Sequence, residues 1–346
     1  MAALVALALA ALQLTVGTPV ARAGGICSIT SHVATVDQNG SVTVARSGQN
    51  ITVNGTSCGT VTTIDTVNVN LGGSGDAGIT FDLSNGQFAP GFTTESVDPA
   101  SSEIEFDVMN PGPTGQIRVI GGSEGEVFTA GTRTLGGRTE KVLALNFNAG
   151  DELFASDEDA TVHGTIARVE LDGNGGGDLL SGAGTAVDGS KPVSVPMTLS
   201  DGTGSDNSVG GSGADRFIPG LGLKESDSFK GGGGKDTLSF AGRTAAMVIT
   251  LDGNFNDGVG CPGATCEGDN IGTDVEKVTG GSGGDTITGS GGANTLGGAG
   301  GKDRLNGGNG DDILNGGPGN DTLNGGSGTD TCKQGPGIGT LTACEA

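Results

Sequence analysis

Between residues 280 and 333 a large apolar side chain recurs at every ninth position: Ile287, Leu296, Leu305, Leu314 and Leu323, with Cys332 completing the row. Its neighbours are mostly Thr and Asn, so each apolar residue is the middle of a short strand that turns one side chain inward and two outward. Residues 24 to 170 alternate in the same sense over shorter, less regular stretches. These are Val42-Thr43-Val44, Ile51-Thr52-Val53, Val67 to Leu71, Ile79-Thr80-Phe81, Ile104 to Val108, Val142 to Phe147 and Val162 to Leu171. Turn residues separate them at short intervals, and apolar spacing of helical period is nearly absent after the first two dozen residues, so the pattern predicts an all-β chain.

Cut into nines, residues 280 to 333 read GGSGGDTIT, GSGGANTLG, GAGGKDRLN, GGNGDDILN, GGPGNDTLN and GGSGTDTCK, without a slip of register. Glycine fills the first and fourth positions throughout, and the sixth carries Asp285, Asn294, Asp303, Asp312, Asp321 and Asp330. A flexible Gly/Ser/Asn linker has no reason to keep these columns, so a repeating architecture is expected. The glycines permit left-handed turns and close approach of successive coils. The sixth-position oxygens and exposed turn carbonyls are hard ligands of the kind calcium takes. Two nonapeptides make one coil, so turns two repeats apart stack on one edge. That pairs Asp285 with Asp303, Asn294 with Asp312, Asp303 with Asp321, and Asp312 with Asp330.

The pattern GGxGxDxUx, with U a large apolar residue, resembles the RTX, or haemolysin-type, calcium-binding nonapeptide. The resemblance implies a right-handed parallel β-roll, a β-solenoid in which several calcium ions lie between turns, held by sixth-position Asp and backbone carbonyls. Two repeats depart from it: the second has Ser290 and Asn294 for Gly and Asp, and the third has Ala299 for Gly. Asn294 keeps an oxygen but loses a charge, so the Asn294/Asp312 pair is expected to be the weakest.

Further copies lie upstream. Residues 210 to 218 (GGSGADRFI) and 231 to 239 (GGGGKDTLS) match fully and add Asp215 and Asp236 at the sixth position. Residues 173 to 181 match less well and add Asp178; residues 72 to 80 carry Ala77 in place of the acid. The stretch between Ser239 and Gly280 resembles the spacer of secreted bacterial, notably actinobacterial, RTX-type calcium-binding proteins. Asp252, Asn254, Asn256 and Asp257 crowd one turn of it, but Asp257 stands where an EF-hand needs Gly and Gly263 where it needs a carboxylate. That loop is expected to be a structural insertion. The organisation expected is a leader at 1 to 23, a degenerate β-solenoid at 24 to 170, irregular repeats with the spacer at 171 to 279, the regular roll at 280 to 333, and a C-terminal cap at 334 to 346 that carries no further repeat.

Composition sharpens this picture. With 71 glycines, no Trp, no Tyr and a net charge of -23, the core must be thin and another source of stability is needed. Bound cations supply one, because they neutralise clustered carboxylates and their binding energy becomes folding energy. The acidic balance argues against nucleic acid as a partner. Leu4 to Val16 form an apolar stretch followed by Ala21-Arg22-Ala23, which reads as a secretory signal peptide with cleavage before Gly24. No later segment is apolar enough to span a membrane, so a secreted, extracellular protein is expected. Six cysteines suit that destination and fall into three local pairs, Cys27 with Cys58, Cys261 with Cys266, and Cys332 with Cys344. The sequence alone permits other pairings.

No catalytic constellation stands out, and no enzyme is expected. There is no His-Glu-x-x-His, and Gly280 to Gly284, which formally satisfies G-x-S-x-G, lies inside a calcium repeat. His32 and His163, the only histidines, read as surface residues, and the acidic run Asp157-Glu158-Asp159 as a solvated face. The reading is therefore a calcium-binding structural or interaction protein, with extracellular or cell-surface polysaccharide as the candidate macromolecular partner. The alternative is a polysaccharide-modifying enzyme with a calcium-binding tail.

Overall fold

The computed structural model describes residues 27–64, 66–72, 76–85, 105–109, 111–123, 127–135, 138–146, 160–163, 166–184, 191–222, 225–263 and 266–345. The expected leader at 1 to 23 and the acidic run at 157 to 159 lie outside them. Among the described residues there are thirty short strands and no helix, hence none long and apolar enough to cross a membrane.

The strands stack into two long sheets that face each other across a narrow core. One sheet has 13 strands, running from Thr331–Lys333 at one end to Thr56–Thr60 at the other. From Thr331–Lys333 to Val42–Ser47 every neighbouring pair in it is parallel. Beyond that, Val42–Ser47, Asn50–Val53 and Thr56–Thr60 close the array as an antiparallel meander. Coil upon coil in parallel is what a chain needs when each unit is too small to bury a core alone. The solenoid thus extends through the N-terminal region as well as the regular repeats.

Register follows the nonapeptide. Leu296 pairs with Leu314, Leu314 with Cys332, Leu305 with Leu323 and Leu323 with Leu341, each one coil apart. Eighth-position side chains therefore form two inward rows, and Ile287, Leu296, Leu305, Leu314 and Leu323 are all buried. Upstream, Phe217 and Phe229 take inward places in these rows beside Leu238 and Ile271, and Phe240 joins them in the core. Phe217, Phe229 and Phe240 stack edge to face at 6.0 and 6.4 Å, a larger apolar payload where the coils are irregular.

Three features differ from the sequence expectations. The stretch from Val162 to Leu171 is two strands, Ala160–His163 and Arg168–Asp172, which belong to opposite sheets, so the chain turns a solenoid corner between them. Val127–Leu135 and Arg138–Asn146 form an antiparallel hairpin inserted into one parallel sheet. Residues 334 to 342, QGPGIGTLT, continue the nonapeptide register rather than ending it: Thr340–Thr342 adds a parallel strand beside Thr322–Ser327. This seventh unit is hidden because Gln334 and Gly339 replace the usual first-position Gly and sixth-position Asp.

The insertion near 252 is tied into the sheets by one of its acids. Asp257 is fully buried and accepts the backbone N–H groups of Thr250 and Ile271, tying two strands together. All three local cysteine pairs are disulfides: Cys27 with Cys58, Cys261 with Cys266 and Cys332 with Cys344.

Candidate metal centre

Each turn between strands ends in a sixth-position side chain that folds back under the turn, and successive turns are linked through these side chains. Oδ1 of Asp303 accepts the backbone N–H of Asp285 at 2.8 Å, and Oδ1 of Asp321 accepts that of Asp303 at 3.0 Å. On the other edge Oδ1 of Asp312 accepts from Asn294 at 2.7 Å, and Oδ1 of Asp330 from Asp312 at 2.9 Å. All four pairs expected from the sequence are brought together in this way.

The second carboxylate oxygen is the one free for chemistry. Oδ2 of Asp303, Asp312 and Asp330 is buried and has no hydrogen-bond partner. In Asp285 that oxygen takes the Gly281 N–H instead, at 2.8 Å. Each Oδ2 sits beside the first-position glycine of its own repeat and the first-position carbonyl two repeats on. A Cβ on Gly298 would collide with Oδ2 of Asp303 and crowd the Gly316 carbonyl oxygen; one on Gly307 would meet Oδ2 of Asp312 and the Gly325 carbonyl. Glycine is required here because the carboxylate occupies the space of a side chain. The second-position turn is left-handed instead, and Ala299 adopts it at φ 70° where the fifth and sixth repeats have glycine.

Removing these acids from water has electrostatic consequences. Burial pushes Asp303 up to about 6, reinforced by Asp285 and Asp321 and opposed by the Asp285 N–H. Burial raises Asp285 and Asp312 as well. Stacked buried carboxylates with unused oxygens are what desolvation and like-charge repulsion disfavour unless a cation lies among them. Hard oxygen donors from carboxylate and carbonyl match the ligand set of calcium, so the residues present fit that ion.

The upstream repeats form ladders of the same kind. Asp236 Oδ1 accepts the Asp215 N–H at 2.7 Å, and Glu276 in turn accepts that of Asp236 at 2.8 Å. On the other edge Asp178 donates to Asp206 at 2.6 Å, Asp206 to Asp227 and Asp227 to Asp269, both at 3.1 Å. Asp206, Asp227, Asp269 and Glu276 were not legible as sixth positions. Coils there contain 28, 21 and 42 residues between successive acids, so the period is lost. Asp201, at the first position of DGTGSDNSV, was also missed, because every recognised repeat has glycine there. Burial raises Asp215 to about 6 and Asp236 to about 7. It raises Asp201 to about 8, with Asp227 and Asp206 adding to the effect.

The far end of the roll replaces ligands with its own groups. Gln334, in the first-position place of the seventh unit, donates its Nε2 to Oδ2 of Asp321 at 3.2 Å. Glu345 accepts the Asp330 N–H, ending the opposite ladder.

A family model described as the RTX calcium-binding nonapeptide repeat matches four copies at residues 221–242, 272–304 and 297–332. The chain carries RTX calcium-binding repeats. RTX repeats bind calcium, and the matched segments contain Asp236, Asp285, Asn294, Asp303, Asp312, Asp321 and Asp330. Asp178 and Asp215 precede the matched segments and share their ladder geometry. A search of curated proteins found no match.

His32 lies in a tight turn at φ 67°, its Nδ1 3.1 Å from the Thr63 carbonyl oxygen.

Proposed function

We propose that this protein is a secreted, non-catalytic calcium-binding β-roll whose C-terminal coils order as calcium fills the two acid ladders. The observation that carries this reading is the set of buried, unpartnered Oδ2 atoms on Asp303, Asp312 and Asp330, each beside a turn carbonyl. An oxygen so placed gains nothing from folding without a cation, and several ions per chain satisfy the ladders together. Asp285, Asn294, Asp321, Asp215, Asp236 and Asp178 extend the ligand set along the same two edges. Export is supported by the leader-like residues 1 to 23 and by three disulfides with no free cysteine among the described residues.

The test is a calcium titration of the full exported chain, with bound ions counted by native mass spectrometry and structure followed by far-UV circular dichroism. Several ions binding together with a gain of β-structure is the expected result; a chain that binds none at millimolar calcium refutes the reading. Calcium-dependent cleavage of a uronate polymer by the pure protein would instead favour the enzyme alternative.

A further inference from the structure

Asp201 breaks the rule that every recognised repeat obeys. The first position elsewhere is glycine, since a Cβ there runs into the sixth-position carboxylate of the same repeat, as at Gly280 with Asp285 and Gly298 with Asp303. The turn from 201 to 206 accepts a side chain at this position, and that side chain is itself an acid. It brings a third carboxylate to a place where the ladder alone supplies two. Ligand oxygens of Asp201, Asp206 and Asp227 lie within 4.8 Å of one another, and all three residues are buried.

In each of the three, Oδ1 accepts a backbone N–H. Oδ1 of Asp201 accepts the Gly220 N–H at 2.6 Å, Oδ1 of Asp206 accepts the Asp178 N–H, and Oδ1 of Asp227 accepts the Asp206 N–H. Asp201 is 1% exposed, and its Oδ2 has no hydrogen-bond partner. The nearby cation, Arg243, acts on Asp227 through space but makes its hydrogen bonds elsewhere. Arg243 spends Nη1 on Glu267 at 2.8 Å, in a pair that is itself buried, and Nη2 on the Gly220 carbonyl oxygen at 2.9 Å. Three buried acids are thus clustered, and one of them, Asp201, carries a buried oxygen with no hydrogen-bond partner.

We propose that Asp201, Asp206 and Asp227 form a distinct calcium site that binds more tightly than the repeat sites between residues 285 and 330. Oxygen-only donors select a hard divalent cation, and affinity for calcium rises with the number of ligand charges and the rigidity of the site. Three carboxylates meet here, against at most two in any stacked pair of the regular roll. Asp201 and Asp206 precede the residues matched as RTX repeats, so the site goes beyond the repeat reading. Filled first, it would hold the irregular coils together while the regular ladders are still empty.

The experiment compares the full exported chain with its Asp201→Gly and Asp201→Asn variants in calcium buffers from micromolar to millimolar, with ions counted by native mass spectrometry. Asp201→Gly installs the residue that the recognised repeats carry at this position, so the turn is preserved. The wild type is expected to retain one ion at free calcium too low to fill the rest, and both variants to need at least tenfold more calcium to hold it. The transition of the regular repeats should stay where it was. An unchanged affinity and count for the tightest ion in Asp201→Gly overturns the proposal, as does a wild type with no ion tighter than the rest. If only the repeat transition is missing while the tight ion remains sensitive to Asp201, the ladder reading fails and this one stands.

Discussion

The backbone N–H of Asp285 donates to the Oδ1 of Asp303, so the side chain of one coil closes the turn of the coil before it. Repeated along both edges, this bond makes every sixth-position acid a part of the backbone of its neighbour. It also leaves the second oxygen of Asp303, Asp312 and Asp330 a buried acceptor with no hydrogen-bond partner.

The first-position glycines should be intolerant for a reason unrelated to backbone strain. Gly298→Ala puts a methyl where Oδ2 of Asp303 sits, and is expected to weaken calcium binding at that turn by at least tenfold, read as a shift in the folding midpoint. Gly297→Ala is the control. Its Cβ would meet only the Thr279 side chain at 3.6 Å, an ordinary contact, so stability should change by no more than about 0.5 kcal/mol.

Acidity should act on the calcium-free and calcium-bound chains in opposite directions. Folding raises Asp303 to about 6, Asp236 and Asp269 to about 7, and Asp201 to about 8, against about 3.9 in an unfolded chain. The calcium-free fold therefore binds more protons than the unfolded chain, and protonation stabilises it. That contribution is complete below about pH 4 and is lost as pH rises through about 6 to 8. In chelator, circular dichroism should show more order at pH 5 than at pH 8. Calcium must displace these protons, so its affinity should rise over the same window and binding should release protons. A calcium-free chain less ordered at pH 5 than at pH 8 would contradict this.

The C-terminal disulfide should matter to the last coil. Cys332 is in the inward eighth-position row, and its partner Cys344 lies just past the added strand Thr340–Thr342. Closing a loop of this length stabilises by about 3 kcal/mol in the chain-entropy picture. Cys332→Ser is expected to lower calcium-saturated stability by about 2–3 kcal/mol in denaturant unfolding. Recovery of a free thiol at Cys344 in the exported wild type would remove the basis for the prediction.

The regular roll was legible because two columns repeat at one period: Leu305 and Leu323 fix the inner row, and Asp303 and Asp321 fix the edge. Where that period slips, the sequence is silent although the geometry persists. Asp206 and Asp227 do the same work as Asp303, but the coils between them differ in length, so no fixed spacing marks them. Ser208, in the eighth-position place after Asp206, is polar, removing the second clue. Asp201 was hidden by the rule it breaks. The seventh unit was hidden because Gln334 supplies an amide hydrogen where the recognised repeats have glycine. The corner near Ile166 was unreadable because alternation continues on both sides of it and says nothing about which sheet receives each strand.

The central claim, that calcium sits between stacked sixth-position acids and drives the folding of the roll, is tested most directly by comparing Asp312→Ala with Asp285→Ala. Asp312 is bonded to Asn294 on one side and Asp330 on the other, whereas Oδ1 of Asp285 faces the Met247 N–H and only Asp303 is its acidic neighbour. Counting bound calcium in the full chain by native mass spectrometry while following far-UV circular dichroism, Asp312→Ala should lose two ions and Asp285→Ala one. The folding midpoint should move further for Asp312→Ala. Equal losses in the two variants, or a wild-type roll already fully ordered in chelator at pH 8, would contradict the account.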